Sequence, residues 1–230
     1  MHLVPEQVKR SYRSPLREES ARRTRAAIRE AATALFVEQG YVRTTVKEIA
    51  ATAGVALRTV HAAFPGGKAE IFHEALDVAT AGDEEPVAVA DRPAFVAALE
   101  DPDRLLPELA RQGTELLERA GRLLAACQGS SGADADMREL DDLGARTMSA
   151  NMRTVAEAME RHGLLTVPVD EAADVLLTLC SPQVHDLLRH RRGWSPEHYA
   201  AWLERSLALL LCTPPDREGR QVFSGPPQRP

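Results

Sequence analysis

Apolar residues recur at helical spacing along most of the chain, and glycine and proline interrupt them at intervals. Ile28, Ala31, Ala32, Leu35 and Phe36 stand at i, i+3, i+4, i+7 and i+8, which places them on one face of a helix. No segment alternates apolar and polar residues as a half-buried strand does, and no Asn-Gly or Asp-Gly hairpin turn is present. The chain has 230 residues, 44% of them hydrophobic, which is enough for one large or two modest domains. The sequence therefore predicts an all-α protein.

Three short helices fit between residues 20 and 68. The first ends at Gly40, and the second begins at Thr45, which has Glu48 three residues further on and so predicts a capping box. Gly54 ends the second helix, and a third fits between Gly54 and Pro65. Two short helices joined by a tight glycine turn are typical of a helix-turn-helix, whose second helix enters the major groove of DNA. An ordinary three-helix packing unit fits the same spacing.

Charge divides the chain at about the same place. Residues 1–70 carry 12 Lys and Arg against 7 Asp and Glu, whereas residues 71–230 carry 16 against 27. A basic first segment on an acidic remainder favours contact between that first segment and a polyanion. We therefore expect different partners for the two parts, although a chance asymmetry is the alternative.

A helix-turn-helix at this position would present the outer side of its third helix to DNA. Arg58 on that helix can bind O6 and N7 of guanine together. Lys47 on the second helix and Thr44 just before it would hold phosphates. The residues expected on the outer side of the third helix are Leu57, Arg58, Thr59, His61 and Ala62.

An ordered set of residues carries a resemblance to a known family. The set comprises Thr44-Thr45-Val46-Lys47-Glu48-Ile49-Ala50, Ala53-Gly54-Val55, Thr59-Val60-His61, Phe64-Pro65 and Lys68. In this order it resembles the N-terminal signature of the TetR family of transcriptional repressors. The resemblance implies DNA-binding roles for Thr44, Thr45, Lys47, Leu57, Arg58, Thr59, His61 and Lys68.

The chain departs from that signature at three places. Ala56 stands where the family usually has Ser or Thr to cap the recognition helix, and alanine cannot cap. His61 replaces a tyrosine whose hydroxyl meets a phosphate in the family, and an imidazole can also donate to phosphate. Gly66-Gly67 lengthens the gap before Lys68 by one residue, which weakens the transfer of a phosphate contact to that lysine.

The rest of the chain also predicts helices, followed by a short tail. The predicted segments are Lys68 to Thr80, Pro93 to Leu99, Asp103 to Cys127, Ala133 to His162, Asp170 to His190, bent at Pro182, and Ser195 to Leu211. The predicted organisation is a flexible basic arm at 1–19, a helix-turn-helix DNA-binding domain at 20–68, a larger helical effector-binding and dimerisation domain at 69–212 and a disordered tail at 213–230.

The last two predicted helices are more apolar than one buried face requires. Such a surplus favours packing on a second copy as a four-helix bundle, with burial inside the monomer as the alternative. The TetR resemblance favours the homodimer, because family members pair through their last two helices. The residues expected at the interface are Leu176, Val184, Leu187, Tyr199, Trp202, Leu203, Leu207 and Leu210.

An apolar pocket is the second expectation for the helical domain. Leu124, Cys127, Met148 and Met152 are candidate lining residues, since methionine adapts to irregular apolar ligands, but the same residues fit a plain core. In the TetR family, a small molecule in this domain moves the helix that here spans Lys68 to Thr80 and spreads the DNA-binding heads. The resemblance therefore implies an apolar effector of unknown identity.

Catalytic and metal-binding patterns are missing from the sequence. No Cys-x-x-Cys or His-Glu-x-x-His spacing frames a metal site, and Gly67-Lys68 lacks the first glycine and the Ser or Thr of a phosphate loop. We expect no enzyme activity, no cofactor and no membrane partner, and the three widely spaced cysteines with a polar N-terminus favour a cytoplasmic protein. The predicted function is a ligand-responsive repressor that binds a palindromic operator as a homodimer. The alternative is a helical small-molecule-binding protein or enzyme with a vestigial DNA-binding headpiece.

Overall fold

The computed structural model describes residues 15–83, 85, 87 and 89–212, which form helices joined by short turns. The helices are α1 Pro15–Gln39, α2 Val46–Thr52, α3 Leu57–Ala63, α4 Gly67–Ala81, α5 Pro93–Leu99, α6 Leu105–Ser131, α7 Ala135–Arg161, α8 Val169–Leu179, α9 Pro182–His185 and α10 Pro196–Leu211. Among these described residues, extended pairing is limited to an isolated bridge between Leu165 and Cys212. The prediction of an all-α fold is confirmed.

The first helix begins earlier than the sequence pattern predicts. It starts at Pro15, so residues 15–19 are helical and the predicted flexible arm at 1–19 is wrong over that part. Proline suits the first position of a helix because its missing amide has no helical partner there, and Glu18 in the first turn complements the helix dipole. The rest of the predicted arm and the predicted tail at 213–230 lie outside the described residues.

The segment predicted as one helix from Asp170 to His190 is interrupted. α8 ends at Leu179, and α9 begins at Pro182 with the Ser181 hydroxyl accepting a hydrogen bond from the Val184 amide at 3.3 Å. The chain then continues as a single widened π-type turn over Asp186–Arg191. Pro182 starts a new helix instead of bending an existing one, because a proline that follows a capping serine fits the first helical position.

The described chain separates into two compact units. Unit 1 takes Arg122–Asp141 together with the described residues up to Asp83, and unit 2 takes the remainder. In unit 1, Phe36, Tyr41 and Phe72 form an aromatic cluster with ring centroids 4.9 to 5.6 Å apart. The boundaries of the predicted functional domains at residues 20, 68 and 212 stay predictions.

The core of unit 2 is built from four parts of the chain. Its fully buried members come from α6, α7, α8 and α10, and they include Leu105, Val155, Leu176 and Leu207. Within the described residues, no helix is both long enough and apolar enough to cross a membrane.

Candidate nucleic-acid interface

The start of α2 is fixed by the predicted capping box. The Thr45 hydroxyl accepts a hydrogen bond from the Glu48 amide at 3.2 Å, and the Glu48 carboxylate accepts one from the Thr45 amide at 2.8 Å. The bond from the Thr45 backbone is the main cause that holds the pKa of Glu48 below its ordinary value. The cap satisfies amides that the first turn of a helix otherwise leaves unpaired. Thr45 is exposed and can therefore reach a phosphate. Because its hydroxyl already forms the cap, such a contact has to leave the cap hydrogen bonds in place.

A glycine turn then directs α3 across α2. Gly54 has φ +67°, in the left-handed region, where a Cβ would be strained. Ile49 on α2 and Val60 on α3 are fully buried, which packs the two short helices on the core of unit 1. The sequence pattern thus produces the helix-turn-helix geometry that it predicts.

The side of α3 that faces away from this core presents the predicted recognition residues. Leu57, Arg58 and His61 are exposed and Thr59 is half-buried. Lys47 is exposed on α2, and neither Lys47 nor Arg58 has a hydrogen bond or an ion pair within the described part of the chain. Two cationic side chains without partners on adjoining short helices are available to an anionic ligand.

Two of the predicted phosphate contacts are used inside the protein instead. Thr44 is 1% exposed, and its hydroxyl donates to the Gly40 carbonyl at 2.8 Å. The Lys68 ammonium donates to the Tyr41 carbonyl at 3.0 Å and lies 4.1 Å from the centre of the Tyr41 ring. Burial lowers the pKa of Lys68, and Asp134 opposes that shift. Burial of Thr44 counts against its predicted phosphate contact, which stays a prediction, and Lys68 is held by a contact that the sequence pattern does not reveal.

The four candidate pocket residues do not lie in one unit. Leu124 and Cys127 belong to unit 1, whereas Met148 and Met152 belong to unit 2. Cys127 is buried and its thiol donates to the Met137 carbonyl at 3.4 Å, and Met152 is a core residue of unit 2. Their effector role stays a prediction.

Unit 2 contains a small apolar pocket formed by other residues. Its volume is about 10 Å³, which is the space of about one water molecule. An effector of drug size would have to open this pocket before it could bind there. The lining residues are Phe95, Ala98, Leu99, Leu105, Leu109, Gln112 and Val155.

The residues predicted for a dimer interface divide into two sets. One set is buried in the core of unit 2 and cannot reach a second copy: Leu176, Tyr199, Leu203 and Leu207 are at most 1% exposed. The other set keeps accessible surface, with Leu187 and Leu210 half exposed and Val184 and Trp202 partly buried. Burial in the monomer core counts against interface roles for these four residues, and the predicted interface stays a prediction.

Within the described residues, no group of three or more His, Cys, Asp or Glu side chains could hold a metal ion. The described chain combines a basic helix-turn-helix with further helices that form a core of their own, and this combination is typical of helical regulators that bind DNA.

Comparison with known proteins shows that one segment of the chain is similar to a known family. Residues 28–75 match the family described as bacterial regulatory proteins, tetR family, whereas a comparison of the chain with curated proteins gives no match. Over that segment the chain resembles the TetR family, and the resemblance predicted from the sequence is confirmed.

Solved structures extend the likeness to the whole fold. NalD of Pseudomonas aeruginosa, the secondary repressor of the MexAB-OprM multidrug efflux pump, is 23% identical with a TM-score of 0.63, over 87% of this chain and 100% of that chain. A protein described as a transcriptional regulator from Saccharomonospora viridis, in complex with choline, is 22% identical with a TM-score of 0.59, over 84% and 100%. At these identities the likeness shows a shared fold. The predicted architecture, a helix-turn-helix followed by a larger set of helices, is confirmed.

Proposed function

We propose that this protein is a transcriptional repressor that binds a palindromic operator as a homodimer and leaves it when a small apolar molecule binds. It acts on DNA in the cytoplasm and has no catalytic role. Two exposed cations on a pair of short helices carry the proposal: Lys47 on α2, whose start is capped by Thr45, and Arg58 on α3, both without a partner among the described residues. Arg58 reads guanine in the major groove, whereas Lys47 binds a phosphate and contributes equally on every sequence.

The test begins with duplexes that the purified protein selects from a random-sequence library. Affinity for a selected duplex and for a random duplex of equal length is then measured by fluorescence anisotropy over a range of salt concentrations. Arg58→Ala should weaken binding to the selected duplex by about 1–3 kcal/mol and leave the random duplex nearly unaffected. Lys47→Ala should weaken both and reduce the salt slope by about one.

Arg146→Ala is the matched control, because Arg146 is exposed on α7 and its removal changes the net charge equally. It should leave both affinities unchanged. A wild-type protein that enriches no duplex contradicts the proposal and favours a helical small-molecule-binding protein.

The homodimer is proposed to form through the apolar side chains that remain exposed on the last helices. Leu209 is 83% exposed and Leu210 53%, at adjacent positions of α10, and Leu187 is 50% exposed. Exposed leucines at adjacent positions favour a covering partner. A two-fold dimer sets its two recognition helices about 34–36 Å apart, one turn of the duplex, which explains a palindromic operator.

Leu210→Arg tests the homodimer without disturbing the monomer core. We expect sedimentation velocity to show a monomer, and affinity for the selected duplex to fall more than tenfold. Leu143→Arg is the control, since Leu143 is 49% exposed on α7. Dimers that persist in the Leu210→Arg variant contradict this interface.

A further inference from the structure

One charged cluster in unit 1 joins three helices and takes no part in the DNA contacts proposed above. The Arg25 guanidinium on α1 donates from Nε to the Glu74 carboxylate at 2.5 Å and from Nη2 to the Glu70 carboxylate at 3.0 Å. Its Nη1 donates to the backbone carbonyl of Ala63, the last residue of α3. The guanidinium carbon lies 4.0 Å from the centre of the Phe64 ring. One side chain therefore contacts the end of α3 and two carboxylates of α4.

The contact with Ala63 matters because α3 has little support of its own. The helix has seven residues, and its N-cap residue Ala56 provides no side-chain hydrogen bond. Val60 is its buried residue. Helices this short do not persist without tertiary packing. A cation that binds a terminal carbonyl satisfies an acceptor the helix leaves open and complements its dipole.

The two carboxylates fix the same guanidinium to α4. Glu70 also accepts a hydrogen bond from the Gly66 amide at 2.7 Å, which ties the turn between α3 and α4 into the cluster. Glu74 also accepts one from Arg29 at 3.1 Å. A planar guanidinium with three filled donor directions and a ring against its face has a fixed orientation. The direction in which α3 leaves the core depends on that orientation.

We infer that Arg25 is a positioning residue, which holds the end of α3 against α4 so that Arg58 meets its base in register. This inference rests on the proposed function. Arg25 has its donors engaged inside the protein, and its effect on DNA passes through α3. Loss of the cluster should therefore reduce the discrimination between a selected and a random duplex, because non-specific binding depends on charge and tolerates a displaced helix.

Charge alone predicts a different result for Glu74→Gln. Removing a carboxylate from the DNA-binding unit should strengthen binding to every duplex if only the net charge matters. If Arg25 positions α3, the same substitution removes the negative charge that holds the guanidinium and leaves one acceptor oxygen where Arg25 and Arg29 now use two, so binding to the selected duplex weakens. The sign of the effect thus separates positioning from electrostatics.

The experiment compares Arg25→Met, Arg25→Lys and Glu74→Gln with Arg22→Met, which removes the same charge from an exposed position of α1. We expect Arg25→Met to bind the selected duplex at least tenfold more weakly than Arg22→Met does. On the random duplex, the affinities of the two variants should differ by less than twofold. Arg25→Lys should not restore the loss, since an ammonium lacks the planar fork. The salt slopes of the two methionine variants should agree.

Circular dichroism and urea midpoints establish whether each variant is folded. If Arg25→Met does not fold, the inference is tested with Glu74→Gln alone. If Arg25→Met loses affinity equally for both duplexes and its salt slope is reduced, Arg25 is a phosphate contact and the inference is overturned. Unchanged discrimination in both Arg25→Met and Glu74→Gln would also overturn it, while the proposed function stands. A wild-type protein that selects no duplex refutes the proposed function itself.

Discussion

One substitution can supply the side-chain cap that the start of α3 lacks. Ala56 has φ −68° and ψ 144°, the extended conformation of an N-cap residue, and its carbonyl already accepts from the Thr59 amide at 2.8 Å. Ala56→Ser adds a hydroxyl that can accept from the amides of Arg58 or Thr59, as the Thr45 hydroxyl does for Glu48 at 3.2 Å. The backbone needs no change to accommodate it. We expect α3 to become more stable.

The size of the effect follows from the matched cap in the same unit. Capping hydroxyls contribute about 1 kcal/mol, so Ala56→Ser should stabilise α3 by about that amount, and Thr45→Ala should destabilise α2 by at least as much. A change of about 1 kcal/mol is about fivefold in the opening equilibrium of the helix. In urea, with a slope of about 1–3 kcal/mol per molar, it moves the midpoint by about 0.3–1 M.

Hydrogen exchange of the α3 amides, followed by mass spectrometry, measures the local effect directly. Ala56→Ser should slow exchange in α3 about fivefold and raise the urea midpoint, whereas Thr45→Ala should speed exchange in α2. Affinity for a selected duplex should rise by no more than the same factor, because the cap only increases the population of a conformation that the bound protein already has. The reasoning is refuted if Ala56→Ser leaves the exchange rates of the α3 amides unchanged while Thr45→Ala speeds exchange in α2.

Two further predictions concern buried titratable groups. Burial lowers the pKa of His185 from its ordinary 6.5 despite its 2.9 Å contact with Glu118, so the neutral ring is favoured in the folded state and stability should fall as pH drops below about 6.5. Urea midpoints from pH 8 to 5 should show this decline, and it should be smaller in His185→Gln. Burial also raises the pKa of Cys127 to about 11, that of Cys180 to about 12, and that of the less buried Cys212. The cysteines of the native protein should therefore react slowly with iodoacetamide at pH 8, and Cys212 should be labelled before the other two. Rapid labelling of Cys127 would contradict this expectation and indicate a redox role.

Local signals in the sequence predicted the parts of the fold that depend on neighbours along the chain. The capping box at Thr45 and the left-handed Gly54 are formed from residues within four positions, and both occur as expected. The predicted segment from Ser195 agrees with α10, which starts at Pro196 with the Ser195 hydroxyl as its cap. Ser181 with Pro182 carries the same signal, and its hydroxyl caps α9 in the same way, so the break after α8 could have been predicted.

The features of the candidate site that the sequence did not predict arise from contacts between distant residues. Lys68 reaches the carbonyl and the ring of Tyr41, 27 positions earlier, and Arg25 reaches Ala63, 38 positions later. Helical periodicity tells which face of a helix is apolar and says nothing about the partner of a cation. The burial of Thr44 has the same origin, because its hydroxyl closes the turn after α1 by binding Gly40.

The apolar surplus of α10 shows why helical periodicity alone did not separate core residues from exposed ones. Tyr199, Leu203 and Leu207 follow one another at intervals of four, and all are buried in the core of unit 2. That line is what one buried face of a helix requires. Leu209 and Leu210 lie off that line and stay exposed, so they are the surplus that the monomer does not use. A partner that covers α10 must therefore contact Leu209 and Leu210, and substitutions there should separate pairing from folding, whereas substitutions at Leu203 or Leu207 should damage both.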